Sequence, residues 1–271
     1  IKRLPLMRYA QTAMVTPRVH FRRPGLCGNE TKTVDSVSDA GHGPPGYFSF
    51  LSMSIFDLHV HTRRYSGCSF IQYEELIDQA VAAGLDGLAL TEHGMRWPDD
   101  EFEELREEAA GKGIVLINGQ EIHARDAQGR SEGEYLTFGL RRSLTKTKTA
   151  VKLIETAHAE GGVVIAAHPY KLSRGGRSHY YGAGELIYRL KLDGIELYHP
   201  DHSENAMNKA QKAMELLKIP GTGGSDAHKI LNIGSHVTVF ENLISNEDDF
   251  LSQIRAGRFR GEKGTQKQTK K

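Results

Sequence analysis

An α/β fold built on a mostly parallel sheet or barrel is predicted by the alternation of strand-like and helix-like runs between residues 53 and 260. Repeated βα units imply strands laid side by side with their helices packed outside. A second observation is where the runs stop: five of the strand-like segments end on a histidine or carboxylate. A third is the His59-Val60-His61 pair. Side chains on a strand alternate with period two, so both imidazoles point to one side.

The elements follow in order. Strand-like runs are Ile55–His59, Gly87–Thr91, Ile114–Glu121, Tyr135–Leu140, Val163–Ala167, Gly194–Tyr198, Gly221–Ser225 and Val237–Phe240. The first helix shows Leu76, Ile77, Ala80 and Val81 on one face; the second, Pro98–Ala110, carries an acidic outer face that reads as solvated. Thr149–Glu160 is the third. Ser203–Leu217 is the fourth, with Ala206, Met207, Ala210, Ala213, Met214 and Leu217 at helical spacing. Gly84, Gly111 and Gly161 stand where helices stop. No internal repeat is present.

Residues 1–52 differ from this body. They hold five of the nine prolines and no acid before Glu30. Three readings compete: translated upstream sequence with Met53 as the natural start, an acid-poor transit peptide, or a disordered arm. The first is preferred, and in none does the segment carry the chemistry. Residues 261–271 read as a disordered basic tail. Net charge is +1, but residues 53–260 carry 24 basic and 30 acidic residues. Such a body offers no broad basic surface for long nucleic acid. No apolar run approaches the roughly 18 residues that span a bilayer. Two cysteines exclude a disulfide scaffold and favour a reducing, cytoplasmic setting.

Six of the 13 histidines close strand-like segments. The candidate ligands are His59, His61, His93, Glu121, His168, His199, Asp226 and His228, nearly all at a strand's C-terminal end or in the turn after it. In a βα barrel those ends converge on one face. Six imidazoles and two carboxylates are too many for one ion and suit two or three divalent ions such as zinc, manganese or iron. Glu121 is the natural bridge. Such a cluster polarises a phosphoryl oxygen and lowers the pKa of a bound water, so no Ser or Cys nucleophile is required. Asp226, His228 and Glu121 are the residues expected to carry catalysis.

Asp57-Leu58-His59-Val60-His61-Thr62, Leu88–His93, Gly119-Gln120-Glu121, Ala166–Pro169, Ile195–His199 and Gly223–His228 together resemble the ordered motifs of the PHP (polymerase and histidinol phosphatase) family. The resemblance implies a distorted (β/α)7 barrel, a centre of two or three metals, and hydrolysis of phosphomonoesters or of nucleotide and nucleic-acid 5′ ends. It is to the small stand-alone phosphoesterases. There are departures. Thr91-Glu92-His93 replaces the usual Thr-Asp-His. Ser66 falls where many small members have Asp, and Tyr135 where many carry a His. Either change removes or weakens a third metal, and His123 is a candidate substitute.

A substrate phosphate needs cations besides the metals. Arg63 and Arg64 follow the first strand, and Lys171, Arg174 and Arg177 follow His168 in a Gly-rich loop. Tyr170, Tyr180 and Tyr181 in the same loop are candidates to stack on a base. Asp57 reads as supporting the ligands or facing a helix, not as a ligand. Cys68 reads as a partly buried thiol, and one of His199 and His202 as a surface residue. His20, His42, His158, His179 and His236 read as structural or solvated. The expected partner is a small phosphorylated metabolite or nucleotide, or a short nucleic acid, with no membrane. The competing readings are a metal hydrolase of an amide or lactone, and a non-catalytic metal-binding protein.

Overall fold

The computed structural model describes residues 53–144, 148–172 and 180–264. The expectations for residues 1–52, 174, 177, 179 and 265–271 lie outside them. Strand and helix alternate as β1 Ser54–Val60, α1 Tyr73–Ala83, β2 Gly87–Leu90, α2 Asp99–Gly111, β3 Val115–Asn118, β4 Gln120–Arg125, β5 Ser131–Phe138 and α3 Ala150–Ala159. Then come β6 Val163–Ala166, β7 Gly194–Tyr198, α4 Glu204–Leu217, β8 Gly221–Gly223, β9 His236–Phe240, α5 Glu247–Ala256 and β10 Phe259–Lys263. Among the described residues they form two mixed five-stranded sheets, ordered β10-β9-β1-β2-β3 and β4-β5-β6-β7-β8.

The sheets are less parallel than expected. β1 with β2, β2 with β3, β6 with β7 and β7 with β8 are parallel. β1 with β9, β9 with β10, β4 with β5 and β5 with β6 are antiparallel. A tight turn causes part of this: Asp126 accepts the Gln128 and Arg130 amides at 2.9 and 2.8 Å, and Gly129 takes a φ of 77°. That turn folds β5 straight back on β4.

Other boundaries also moved. The expected strand Ile114–Glu121 breaks at Gly119, where a Cβ would stand 2.5 Å from Phe138. Glu121 is thus the second residue of β4 and does not close β3. β5 starts at Ser131, before the expected Tyr135, because Ser131, Gly133 and Glu134 pair with Arg125, Ala124 and His123 of β4. Val81 is 48% exposed, and the packed face of α1 is Leu76, Ile77 and Ala80. β10 crosses the expected boundary at 260, with Gly261, Glu262 and Lys263 paired to Thr238, Val237 and His236.

Phe56, Phe138, Phe240 and Phe250 form the aromatic part of the core, with centroids 5.2–6.3 Å apart. Each buries an area that dominates local stability. Beside it, the pairing of β1 with β2 shifts register between Asp57 and Val60, around His59. Such irregularities re-aim side chains next to functional sites.

Candidate metal centre

Seven side chains meet around Glu121. Its Oε1 lies 3.3 Å from His59 Nε2 and 3.1 Å from His168 Nε2. Its Oε2 lies 2.8 Å from His93 Nδ1 and 3.6 Å from His61 Nε2. Asp226 Oδ1 closes the ring, 3.3 Å from His61 Nε2 and 3.6 Å from His59 Nε2. Glu134 Oε2 reaches His168 Nε2 at 3.5 Å. His61, His93 and His228 form one set whose ring nitrogens lie within 4.8 Å of one another; Glu121, Glu134 and His168 form another.

The backbone is bent to achieve this. His168 and Asp226 have positive φ, 25° and 47°, a conformation that costs of order 1–3 kcal/mol in residues other than glycine and clusters at functional sites. Glycine at 224 is required, since a Cβ there would lie 2.3 Å from Glu196 Oε1 and 2.6 Å from His59 Cβ.

Carboxylates and a hydroxyl set the ring orientations. Glu196 Oε1 takes the His59 Nδ1 proton at 3.1 Å, and Glu196 Oε2 accepts the His168 amide at 2.7 Å. Ser66 Oγ gives its proton to Glu92, accepts the His93 amide at 3.2 Å, and lies 3.4 Å from His61 Nδ1. With its proton committed, Ser66 accepts from that nitrogen. Glu92 is buried and also takes Thr62 N, Thr62 Oγ1 and Trp97 Nε1. His228 Nδ1 faces the Asp226 carbonyl at 2.9 Å, so it is the donor. In its neutral form each of these three rings therefore has a bare Nε2, the arrangement found around metal-bound histidines.

The electrostatics fit a cationic occupant. Burial opposes charge on His59, but Glu196, Glu121 and Asp226 hold it well above the usual imidazole range. Burial likewise opposes charge on Glu121 and Asp226, yet the surrounding histidines, His59 foremost, hold both well below the carboxylate range. Burial and then Glu121 push Glu134 up to about 9. Burial takes His61 down to about 4. Nε2 of His59 and of His61 is buried with no hydrogen-bond partner. Orphaned ring nitrogens among converging carboxylates are costly unless a cation is bound, so the donor set fits divalent metal.

A cavity of about 780 Å³ opens over this cluster, lined in part by Cys68, Lys171, Tyr181, Asp201, Lys229 and Asn232. Lys171 Nζ bonds Asp226 Oδ2 at 2.9 Å and Asp201 at 3.0 Å.

The PHP domain matches residues 57–219, and the PHP-associated family matches residues 204–259. The chain belongs to the PHP family. An uncharacterized protein of Methanocaldococcus jannaschii is 26% identical over 174 residues, covering 60% of this chain and 92% of that one. A two-domain protein from Bacteroides vulgatus, described as containing a predicted PHP-like metal-dependent phosphoesterase, superposes with a TM-score of 0.62 at 19% identity. The match covers 80% of this chain and 66% of that one. A lesion-specific endonuclease from Pyrococcus furiosus superposes at 0.50 with 18% identity, covering 77% of this chain and 57% of that one. At these identities the structures share the PHP fold.

Of the residues the sequence singled out, His59, His61, His93, Glu121, His168, Asp226 and His228 come together. His199 packs behind Asp226. Arg63 and Arg64 are exposed, and Arg64 is committed to Glu101 at 2.8 Å. Lys171 enters the cavity; Arg174 and Arg177 lie outside the described residues. His202 is buried, its Nδ1 on the Leu197 carbonyl, and is not a surface residue. Cys68 is exposed, not partly buried. His123 faces Glu134 at 3.6 Å.

Four residues went unrecognised: Glu134, Glu196, Asp201 and the cavity-lining Lys229. Tyr135 points into the core with its hydroxyl on the Glu132 carbonyl, and its neighbour Glu134 faces the site. Strand alternation in Glu132–Leu136 was the signal that distinguishes the two. Glu196 sat inside a quoted motif, and Asp201 beside His199. Asp57, as expected, supports: its carboxylate accepts Ser225 N at 3.0 Å and Gly234 N at 2.8 Å.

Proposed function

We propose that this PHP protein is a metal-dependent phosphoesterase acting on a small phosphorylated metabolite or nucleotide, or on a short nucleic-acid 5′ end. The observation that carries the reading is the pair of orphaned nitrogens, His59 Nε2 and His61 Nε2, facing Glu121 and Asp226. His59, His61, His93, Glu121, Glu134, His168, Asp226 and His228 would hold two or three divalent ions, of zinc, manganese or iron. When bound, the ions supply Lewis acidity to a phosphoryl oxygen and make water acidic enough to attack it near neutral pH.

The chain's own residues do the rest. Glu121 presents one oxygen to each half of the cluster, Asp226 aligns the His59–His61 side, and the tied Nδ1 atoms keep the imidazoles aimed. Among the described residues Lys171 and Lys229 line the cavity as cations and would meet the substrate's phosphate. A cavity of about 780 Å³ suits a substrate of metabolite or mononucleotide size, or the end of a strand. The acidic body disfavours a long nucleic-acid track.

The expected barrel is supported by bonds at both seams between the sheets. Glu121 N reaches the Glu92 carbonyl at 3.0 Å and Gly94 N the Glu121 carbonyl at 2.7 Å; at the other seam His61 N reaches the Ala227 carbonyl at 3.1 Å. We read the two sheets as halves of a distorted (β/α)7 barrel. No helix among the described residues is long and apolar enough to cross a membrane, and the low cysteine count supports a cytoplasmic setting.

The test is phosphate release from a panel of phosphomonoesters, nucleotides and 5′-phosphorylated oligonucleotides by the wild type and by Asp226→Ala. The reading expects turnover that the variant loses while its circular dichroism is kept. Equal turnover by the two, or cleavage only of amides or lactones, sinks it.

A further inference from the structure

The four histidines around Asp226 are not equivalent. His59, His61 and His228 each face an acceptor with Nδ1: Glu196, Ser66 Oγ and the Asp226 carbonyl. A neutral ring with its proton on Nδ1 has a free lone pair on Nε2, which is what a metal takes.

His199 is wired the opposite way. The backbone amide of Asp201 donates to His199 Nδ1 at 3.0 Å. A backbone N–H can only donate, so that nitrogen carries no proton. The proton of the ring therefore sits on Nε2, 3.3 Å from Asp226 Oδ2. A nitrogen that holds a proton has no lone pair for a metal.

We infer that His199 is not a metal ligand but a positioning residue, which donates from Nε2 to Asp226 and makes that carboxylate a one-oxygen ligand. Asp226 Oδ2 is held from behind by two donors, His199 Nε2 and Lys171 Nζ. Oδ1 is left facing His59 and His61 at 3.6 and 3.3 Å, with His228 Nδ1, whose proton goes to the Asp226 carbonyl at 2.9 Å, 3.4 Å away. Asp201 sets both donors, His199 through its amide and Lys171 through its carboxylate at 3.0 Å. His199 is buried and absent from the cavity lining, whereas Asp226, Lys171 and Asp201 line it. It acts through Asp226 and touches no substrate. The positive φ of Asp226 is then part of the same device, turning one oxygen to the metals and the other to the two donors.

This inference rests on the metal-site reading, and two measurements keep the failures apart. The first is the tautomer of His199 in long-range ¹H–¹⁵N spectra of the full chain, metal-free and zinc-loaded. A proton on Nε2 in both states is expected, against Nδ1 for His59, His61 and His228 once zinc is bound. A proton on Nδ1 of His199 in the zinc-loaded protein overturns the inference. The second is zinc affinity and stoichiometry by chelator competition for His199→Gln and His199→Leu. Gln keeps a donor at the Nε2 position and should stay within about threefold of wild type, whereas Leu should weaken zinc binding roughly 10-fold or more. Loss of one ion per chain in both variants, or no weakening in His199→Leu, contradicts it. If the wild type binds no zinc, the metal-site reading itself has failed.

Discussion

The two halves of the centre are built from different chemistry. On the β1–β2 side the set is all imidazole: His61, His93 and His228. On the β4–β5–β6 side it is carboxylate-rich: Glu121, Glu134 and His168. The first is tied by backbone groups and by the Ser66–Glu92 pair; the second is tied by the charges of its own members. Imidazole nitrogens favour zinc-like ions, and carboxylates tolerate harder ones such as manganese. The difference teaches that one pocket holds two kinds of donor set, with Glu121 as the shared wall.

Removing that wall should have the largest effect. Glu121→Gln should cost roughly 10³-fold or more in kcat and leave at most one ion per chain, measured by steady-state assay and elemental analysis. Retention of all ions would separate the halves and remove the bridge. Next come paired variants that hit one half each. Glu134→Gln should weaken manganese binding more than zinc binding, and His93→Gln the reverse, each by roughly 10–100-fold in the disfavoured metal. Parallel losses in both variants would erase the distinction.

A proton count sharpens it further. In the metal-free chain Glu134 is pushed up to about 9, so it is protonated at pH 7.5. A cation beside it favours the carboxylate, so uptake should expel that proton and affinity should rise with pH between 7 and 9. Calorimetry in buffers of different ionisation enthalpy should show one fewer proton released by Glu134→Gln than by wild type. The smallest effect should come from Ser66→Ala. Loss of the Ser66 hydroxyl frees His61 Nδ1 and the His93 amide, which should cost about 10-fold in zinc affinity and leave manganese binding unchanged.

The same two halves explain what the sequence disclosed. The imidazole half was legible because His59-Val60-His61 and Asp226-Ala227-His228 are compact motifs at strand ends. In the carboxylate half Glu121 and His168 were equally legible, and only Glu134 was hidden, because Ser131-Glu132-Gly133-Glu134 reads as a polar turn until the hairpin with β4 turns Glu134 inward. Strand starts were legible wherever apolar runs marked them. β10 was not, since Phe259–Lys263 is short and charged and gains its place only by pairing with β9. The role of Ser66 was also unreadable locally. Its partner Glu92 lies 26 positions away, and the two meet only because β1 and β2 are neighbours.

The most direct test of the multi-metal centre is elemental analysis of the full chain purified without chelator, followed by reconstitution with zinc and with manganese. The account predicts two or three transition ions per chain. One ion or none, in a folded protein that takes up neither metal, would contradict it.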